Sequence, residues 1–410
     1  MIFEGPRTRW LSDDLMKILV AHNRYQFSGG EDAVVRDEAE LLRRRGDTVE
    51  LLEQDNEAIY GLRGKVAASA AVFYSADSRR RMKQAIDDFR PDVVHIHNWF
   101  PMLSPSIILE ADQSAVPIVQ TLHNFRMICA NALLYRNGGV CTDCIGKMLP
   151  LDGVVHGCYR GSRTGSAIVA AAYAFHRFAH TWNRVDLFIA VSEFERGILV
   201  GGGLPAERVV VKPNFVGSDT WKAERNTEDV ALFVGRLSPE KGIRTLLSAW
   251  RTDKIPLRLR IIGDGPMADE VRTFATGRGG VEYLGLQPQD AVYREMAKAR
   301  FLVFPSEWFE TFGRTVVEAF AQGTPVLAAD LGSVRELVDE GVTGCRFVPG
   351  NVDALVAGAH RFPGGKDYEQ MRANCRSLFL SRFTAGMNYE LLIEIYAKAF
   401  ESRRHRRSNG

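Results

Sequence analysis

The sequence predicts an α/β protein with two doubly wound domains, each built on a parallel sheet. Short apolar, β-branched runs alternate with longer helical patterns, and this alternation starts again after about residue 205. Strands that alternate with helices form parallel sheets covered on both faces. A length of 410 residues with 46% apolar residues is enough for two such cores.

The first series of elements gives the first domain, residues 1–205. Its elements are expected, in chain order, as a strand at 17–21, a helix at 32–45, a strand at 48–52, a basic helix at 78–90, strands within "PDVVHIHN" and "VPIVQTLHN", an apolar helix at 165–182, and a strand and helix within "VDLFIAVSEFERGIL". Residues 1–15 precede this pattern and are either a loose extension or a misassigned start.

The second series gives the second domain, residues 206–385. The order strand, loop, helix occurs in "VALFVGRLSPEKGIRTLLSAW", "LRLRIIGDGPMADEVRTFA", "ARFLVFPSEWFETFGRTVVEAFAQG" and "PVLAADLGSVRELVDEG". The chain ends with a helix at 386–403 and a basic tail at 404–410. For this tail a disordered solvated end is favoured over contact with an anionic membrane surface.

Composition excludes several classes of protein. The formal net charge of +2 argues against a dedicated nucleic-acid binder, which usually has a strong basic excess. The N-terminus lacks the pattern of a signal peptide, and no apolar run reaches the ~18 residues of a spanning helix. Six cysteines do not suggest a secreted disulfide scaffold. A cytoplasmic protein, soluble or peripheral on a membrane, is therefore expected.

Several polar residues are expected at one edge of each sheet. Gly29, His97, His123, Arg236 and Glu310 all follow strands. In doubly wound sheets, ligands bind outside the C-terminal ends of the strands. The sequence therefore predicts a binding site in the cleft between the two domains.

The stretch "GRLSPEKG" is a candidate diphosphate site. Arg236 and Lys241 follow a strand and precede a helix, whose N-terminus already attracts phosphate. Two such cations could clamp a diphosphate and stabilise it as a leaving group; the alternative is a solvated charged loop. The turn Ser28-Gly29-Gly30 occupies the corresponding place in the first domain, where glycines let backbone N–H groups approach phosphate closely.

Nothing in the sequence suggests a catalytic metal. "GDGP" at 263–266 lacks the third glycine of a dinucleotide fingerprint, and no Asp-x-Asp pair is available for a metal-bound nucleotide. If the protein cleaves a nucleotide–sugar bond, Arg236, Lys241 and helix dipoles must replace the metal.

Two carboxylates eight residues apart, Glu310 and Glu318, flank a Phe-Gly turn. Glu310 could simply favour the positive end of a helix dipole, and Glu318 could lie on a solvated face. The apolar surroundings of Glu318 argue against a solvated position and suggest that its carboxylate is buried. A buried carboxylate needs a partner. A ligand hydroxyl would be one such partner.

Together, the Gly-Gly after the first strand, "GRLSPEKG" and the E-x7-E pattern in "ETFGRTVVEA" resemble the retaining glycosyltransferases of family 4. The resemblance extends from Met16 to about residue 400. It implies the GT-B fold, with two Rossmann-like domains facing across a cleft and the last helix crossing back to the first domain. It also implies metal-independent transfer of a sugar from a nucleotide-diphosphate sugar.

The resemblance implies roles for individual residues. Arg236 and Lys241 would bind the donor diphosphate, with Gly29 and Gly30 opposite them. Glu310 and His123 would lie at the transferred sugar. Glu318 would accept hydrogen bonds from the nucleotide ribose. The backbone of Thr311, Phe312, Gly313 and Arg314 would bind sugar hydroxyls or phosphate.

Some positions depart from the family pattern or stay open. "PNFVG" at 213–217 lacks the common Pro-Asn-Gly, and Ser333 stands where a second glycine is common, so donor identity is left open. His97 and Asn98 are candidate acceptor residues, with simple loop packing as the alternative.

Four cysteines, Cys129, Cys141, Cys144 and Cys158, have the spacing C-x11-C-x2-C-x13-C. The central "CTDC" has the short ligand spacing of a structural zinc site; free thiols and a disulfide are the alternatives. The Cys-rich insert at 129–158 is loop-like and is a candidate lid over the acceptor. No cofactor is expected for catalysis.

The expected function is therefore transfer of a sugar to a saccharide or lipid-linked saccharide in surface polysaccharide or glycolipid assembly. Basic stretches at 78–90 and 165–184 would suit a lipid-linked acceptor or peripheral contact with an anionic membrane. The alternative is that both stretches are ordinary helices with a solvated face. A nucleotide-sugar epimerase on the same architecture and a non-catalytic nucleotide-sugar-binding assembly protein are the alternatives.

Overall fold

A computed structural model describes residues 15–24, 29–55, 61–217 and 227–408. Ser28 and most of the expected N-terminal extension lie outside these residues. The strands are β1 (Lys17–Arg24), β2 (Thr48–Asp55), β3 (Val93–Asn98), β4 (Ile118–Leu122), β5 (Tyr135–Arg136), β6 (Gly139–Val140), β7 (Leu187–Ala190), β8 (Val209–Val211), β9 (Glu228–Val234), β10 (Arg258–Ile262), β11 (Val281–Gly285), β12 (Ala299–Phe304), β13 (Val326–Ala329) and β14 (Gly344–Phe347).

These strands form two six-stranded parallel sheets, in the orders β2-β1-β3-β4-β7-β8 and β11-β10-β9-β12-β13-β14. β5 and β6 pair as a short antiparallel hairpin. Every residue of β3, β4, β7 and β13 is buried, as expected for strands covered on both faces. The predicted pair of doubly wound parallel sheets is therefore confirmed.

Helices cover both faces of each sheet. The first-domain helices are α1 (Gly30–Arg44), α2 (Gly61–Ala71), α3 (Ala76–Phe89), α4 (Ser106–Gln113), α5 (Leu151–Val155), α6 (Arg163–Phe178) and α7 (Glu193–Gly201). The remaining helices are α8 (Ile243–Arg251), α9 (Ala268–Thr276), α10 (Gln289–Lys298), α11 (Arg314–Ala321), α12 (Val334–Leu337), α13 (Val352–Ala359), α14 (Gly365–Arg382) and α15 (Ala385–Ser408). Short 3-10 turns lie at Thr181–Arg184, Ala206–Arg208 and Pro239–Lys241.

The first sheet extends past residue 205, where the sequence pattern restarts. β8 pairs in parallel with β7, with Phe188 opposite Val209. A three-residue strand at a sheet edge carries too little periodic signal to be recognised in the sequence. The chain therefore leaves the first sheet after Val211.

The last helix packs on the first sheet. The side chain of Tyr396 is fully buried, and its hydroxyl lies 2.8 Å from Nδ1 of His95 on β3. Arg403 pairs with Asp112 and Asp186, and Arg406 donates to the carbonyl oxygen of Asn183 at 2.7 Å. These contacts hold residues 404–408 in the helix, so the solvated tail predicted from the sequence is wrong for these residues.

Within the part of the chain that the structure describes, no helix is both long enough and apolar enough to cross a membrane. α6, the most apolar long helix, carries His176 and Arg177 in its last turn.

Candidate functional site

The two domains meet where β4 and β12 end. The hydroxyl of Thr311 donates to the carbonyl oxygen of His123 at 3.1 Å, and the hydroxyl of Ser192 donates to the carbonyl oxygen of Thr311 at 2.7 Å. Arg314 of α11 also pairs with Asp37 of α1, at 2.6 Å between Nη2 and Oδ2. The loop between β12 and α11 therefore contacts the first domain directly beside His123.

Glu310 is held in this loop by three donors on one oxygen. Its Oε1 accepts hydrogen bonds from Lys241 Nζ at 2.6 Å, Ser306 Oγ at 2.7 Å and Trp308 Nε1 at 2.8 Å. Glu310 is 7% exposed, and its backbone carbonyl accepts from Ser333 Oγ at 2.9 Å. Glu310 is therefore a fixed, buried carboxylate rather than a surface residue at a helix start.

Lys241 reaches Glu310 because its backbone turns sharply. Lys241 ends a 3-10 turn, and Gly242 follows in the left-handed region with φ +71°. A Cβ atom on Gly242 would lie 1.9 Å from the carbonyl oxygen of Pro305, so only glycine fits. The Lys241 ammonium also lies 5.2 Å from the ring centroid of Trp308. Sequence and packing together fix this cation beside the carboxylate.

Arg236 lies in the turn that follows β9, and it is exposed. Its guanidinium has no hydrogen bond or ion pair with any residue that the structure describes. The turn that carries it packs tightly on the next one, because a Cβ atom on Gly263 would lie 1.9 Å from the carbonyl oxygen of Gly235. Arg236 therefore offers an unpaired cation on a rigid turn.

The N-terminus of α11 is free to bind an anion. Gly313 precedes the helix with φ +87°, no described side chain caps the helix, and its first turn carries no acidic residue. The first N–H groups of a helix have no partner within it, and they attract negative charge. The backbone at Phe312, Gly313 and Arg314 is thus suited to a phosphate or to sugar hydroxyls.

Helix α1 of the first domain, which corresponds to α11, already has an acidic side chain at its N-terminus. Gly29 precedes α1, but its N–H donates to Oδ2 of Asp32 at 2.9 Å, and His22 Nε2 lies 2.8 Å from Oδ1 of Asp32. A Cβ atom on Gly29 or Gly30 would meet nothing within 4 Å. Open space at both glycines fits an approaching ligand, but Asp32 already occupies the positive end of this helix.

Glu318 faces the interior and not solvent. It is 7% exposed, and its Oε1 accepts from Arg314 Nε at 3.2 Å and Gln289 Nε2 at 3.3 Å. Burial raises the pKa of Glu318, and the Arg314 guanidinium opposes that rise. Arg314 therefore links Glu318 to Asp37 across the cleft.

His123 contacts a buried network of polar and charged side chains. Its Nε2 lies 3.0 Å from Nδ1 of His97, and the two rings stack. Nε2 of His97 lies 3.3 Å from Oε1 of Glu38, whose other oxygen accepts from Lys212 Nζ at 2.7 Å. A chain of polar contacts thus leads from the cleft to an ion pair inside the first domain.

Burial sets the protonation of this network. It lowers the pKa of His123 well below its usual value, and it lowers the pKa of His97 against the opposing effect of Glu38. Burial would raise the pKa of Glu38, but Lys212 and the two histidines hold it well below its usual value. Neutral imidazoles therefore lie beside an ionised Glu38–Lys212 pair at neutral pH.

Asn98 has a different environment from His97. Its amide donates to the carbonyl oxygen of Asn23 at 2.8 Å, and its Oδ1 accepts from the N–H of Phe100 at 2.9 Å. Asn98 is buried, so these contacts support the loop-packing interpretation for this residue. His97 contacts His123 from behind and is likewise buried.

Among the described residues, one group of carboxylate and imidazole side chains is compact enough to suggest a metal site, namely Glu38, His95 and His97. The ammonium of Lys212 already neutralises Glu38 there. His95 is engaged by the hydroxyls of Tyr396 and Thr121, each at 2.8 Å. This group therefore fits a buried ion pair with its hydrogen-bonding partners better than a metal centre.

The structure brings most of the sequence-predicted residues to one place. His123, Lys241, Glu310, Thr311 and Arg314 are linked by the contacts above, whereas Asn98 is engaged in its own loop. Sequence reasoning missed the side chains that hold them, namely Asp37, Glu38, Lys212, Gln289, Ser306 and Trp308. Only Ser306 and Trp308 carried a local signal, because they precede Glu310 in "PSEWFE".

Two family models match adjoining parts of the chain. The model of glycosyl transferases group 1 matches residues 219–378, and the model of glycosyltransferase family 4 matches residues 28–219. The lipopolysaccharide 1,2-N-acetylglucosaminetransferase of Salmonella typhimurium is 30% identical over 44% of this chain and 54% of its own. Sulfoquinovosyl transferase SQD2 of Arabidopsis thaliana is 26% identical over 67% of this chain and 50% of its own.

The matched region thus spans about half the length of those two relatives. A solved structure with the same fold is that of Anabaena HepE in complex with UDP, with a TM-score of 0.64 and 20% identity over 93% of this chain and all of that one. The two family models adjoin at residue 219, which lies in the sequence between β8 and β9. The chain therefore belongs to the group 1, family 4-like glycosyltransferases and has their GT-B fold.

Proposed function

We propose that this protein is a retaining glycosyltransferase that moves a sugar from a nucleotide-diphosphate sugar to a saccharide or lipid-linked saccharide acceptor. The observation that carries the proposal is the arrangement around Glu310. A buried carboxylate paired with Lys241 lies four residues before Arg314, the first residue of α11, and Arg236, which follows β9, is exposed and has no partner among the described residues. One side of this arrangement suits sugar hydroxyls and the other suits a diphosphate.

The cationic groups would bind and stabilise the leaving group. Arg236, Lys241 and the N–H groups at the start of α11 would take up the negative charge that develops on the diphosphate when its bond to the sugar breaks. This requires no metal ion in the reaction. Lys241 also contacts Glu310, so the same lysine would place the diphosphate next to the carboxylate that binds the sugar.

Retention of configuration would follow from attack and departure on one face of the sugar. The bond from the anomeric carbon to the phosphate oxygen breaks, and a bond to the acceptor oxygen forms. The acceptor's proton passes to the leaving phosphate. Glu310 would hold the sugar during this exchange, and Glu318 with Arg314 would hold the nucleotide ribose.

His123 would contribute as a neutral hydrogen-bonding group. A carboxylate only accepts hydrogen bonds, so a proton on the His97 nitrogen that lies 3.3 Å from Glu38 would be favoured, and the other His97 nitrogen would then accept from His123 Nε2. We infer that Nδ1 of His123 is left as an acceptor. The network behind it would thus fix the tautomer and orientation of His123.

The acceptor is proposed from the relatives. The relative from Salmonella typhimurium is named for lipopolysaccharide, which supports surface polysaccharide or glycolipid assembly for this chain. A peripheral position at the inner face of a cell membrane would bring the cleft to such an acceptor. Liposome flotation at low salt tests that position, and recovery of all the protein in the unbound fraction would argue against it.

The first experiment is a thermal-shift panel of UDP, GDP and ADP with their common sugar conjugates. A ligand that binds the native state raises Tm by mass action. One nucleotide should stabilise the wild type and not Arg236→Ala, whereas Arg272→Ala, which removes an exposed arginine paired with Asp269, should behave as wild type. No shift with any nucleotide would argue against the diphosphate site.

The same protein with its donor separates the alternatives. Formation of an isomeric nucleotide sugar without acceptor would identify an epimerase. Tight binding without any turnover in the presence of acceptor saccharides would identify a non-catalytic binding protein. Release of nucleoside diphosphate that depends on acceptor, with the product bond in the configuration of the donor, is the outcome expected here.

A further inference from the structure

We propose that Cys129, Cys141, Cys144 and Cys158 bind one structural zinc ion through four thiolates. The inference goes beyond the transferase proposal and rests on residues outside the reaction site. The structure gathers four cysteines that span thirty positions of the chain around one small cavity of about 10 Å³, lined also by Arg136 and Gly153. A space of that size holds about one water-sized particle.

The fold of the insert explains how the four sulfurs meet. The hairpin formed by β5 and β6 returns the chain so that the N–H of Cys141 donates to the carbonyl oxygen of Leu134 at 2.7 Å. A turn follows, in which the N–H of Ile145 donates to the carbonyl oxygen of Thr142 and Cys144 becomes buried. α5 then places Cys158 against Gly153 through a backbone hydrogen bond of 2.9 Å. Little regular structure connects these pieces, so a central ion would hold them together.

An orphaned cationic group faces the cavity. Nη1 of Arg136 is buried without a hydrogen-bond partner, although Nη2 pairs with Asp143 at 2.7 Å. Four thiolates around a divalent ion carry a net charge of minus two, which a neighbouring guanidinium would partly neutralise. A set of neutral thiols would give this buried N–H group no such partner.

Zinc would replace a hydrogen bond that one of the thiols makes. Sγ of Cys129 donates to Oδ1 of Asn131 at 2.9 Å. Metal binding would displace this proton and those of the other three thiols.

The side chains must move inward to bind the ion. Among the residues that the structure describes, no three cysteine sulfurs lie within 4.8 Å of one another. Sulfurs around one zinc ion are about 3.8 Å apart, because each Zn–S bond is about 2.3 Å long. Cys141 and Cys158 are the less buried pair, so rotation of their side chains would close the cluster.

The cluster lies beneath the proposed donor loop. Cys129 and Leu134 belong to a small apolar core with Phe125 and Ile128, and Phe309 packs against this core. The Phe309 ring lies 4.9 Å from that of Phe194, and Phe309 precedes Glu310 directly. A metal that makes the insert rigid would therefore also fix the loop that carries the buried carboxylate.

The test is metal analysis of the full-length protein, purified under reducing conditions from zinc-supplied cells. About one zinc per chain is expected, and a thiol-specific mercurial should release it in proportion to the thiols blocked. Cobalt substitution should give the intense visible bands of a tetrahedral thiolate site. These readouts do not depend on turnover, so they can succeed or fail independently of the transferase proposal.

Variants add a matched control. Cys144→Ser should lose most of the zinc, whereas Cys375→Ser, which alters a buried thiol of α14 far from the insert, should keep it. If Cys144→Ser fails to fold, the mercurial titration of the wild type still decides the question. Zinc far below one per chain, iron in its place, or a disulfide between any two of the four cysteines would overturn the proposal.

Discussion

Lys241 Nζ and Glu310 Oε1 lie 2.6 Å apart, although their residues are separated by 69 positions in the chain. The same oxygen accepts from Ser306 and Trp308, so the carboxylate is fixed by three donors in the interdomain cleft. A carboxylate that served only to neutralise a lysine would not need this support. The second oxygen of Glu310 is consequently the one available to a ligand.

Glu310→Ala should lower transferase activity by at least ~100-fold, comparable to the loss of one key transition-state contact. The reason is that the sugar would lose its hydrogen-bond acceptor and Lys241 its partner. The measurement is kcat/KM with the donor identified by the thermal-shift panel. Glu270→Ala, which removes an exposed carboxylate near Arg244, is the control and should retain full activity. Near wild-type turnover by Glu310→Ala would refute the assigned role.

Gly242→Ala should be much more destabilising than Gly341→Ala. The two glycines have nearly the same φ, +71° and +74°, but a Cβ atom meets Pro305 in the first case and open space in the second. The left-handed conformation alone costs about 1–2 kcal/mol for a non-glycine residue. Gly341→Ala should show only that cost in chemical denaturation, whereas Gly242→Ala should exceed it and also weaken nucleotide binding. Equal losses would mean that the contact with Pro305 is unimportant.

Asp37 and Arg314 should be energetically coupled across the cleft. Arg314 is mostly buried, its guanidinium bridges Asp37 and Glu318, and these two carboxylates raise its pKa against the effect of burial. A double-mutant cycle of Asp37→Asn and Arg314→Lys should give a coupling free energy of about 0.5–3 kcal/mol. The same cycle on Arg294 and Asp290, an exposed pair within α10, should give less than about 0.5 kcal/mol. A coupling of zero across the cleft would indicate that the domains separate in solution.

The sequence predicts more of the backbone than of the contacts in the site. The alternation of buried runs and helical patterns identifies the two sheets, and "GRLSPEKG" identifies Lys241, because both signals are local. Lys212 and Glu38 are 174 positions apart, and their pairing depends on how β8 and α1 come together in the fold. No periodicity within either segment reports such a contact. The contact between Glu318 and Arg314 lies between these two cases. Arg314 is four residues before Glu318 on the same helix, so it could have been identified from the sequence as the partner of Glu318.

Acidification below pH 6.5 should destabilise the protein through His95, His97 and His123. Burial lowers the pKa of all three in the folded state. Their contribution to stability is therefore complete above the unfolded pKa of about 6.5 and is lost as pH falls toward the folded values. Each histidine can add a slope of at most about 1.4 kcal/mol per pH unit.

Chemical denaturation between pH 7.5 and 5.5 measures this slope. His97→Gln should be less sensitive to pH than the wild type, even if it is less stable at pH 7.5. His360→Gln, an exposed histidine of the second domain, should follow the wild-type slope. A His97→Gln slope equal to that of the wild type would show that protonation of this network does not limit acid stability.

Glu195 should make the protein less stable as pH rises, which is opposite in sign to the effect of the three buried histidines. It is fully buried at the start of α7, with Oε2 accepting from the N–H of Val191 at 2.8 Å and Oε1 without a partner. Burial raises its pKa well above the usual value, so the folded protein keeps a proton that the unfolded chain releases. Stability from this group is complete below the unfolded pKa of about 4.3 and is lost as pH rises toward the folded pKa. Glu195→Gln, which resembles the protonated acid, should therefore raise Tm at pH 8 and leave it nearly unchanged at pH 4.5. A lower Tm at pH 8 would mean that the carboxylate is ionised in the folded state and stabilised by the helix N-terminus.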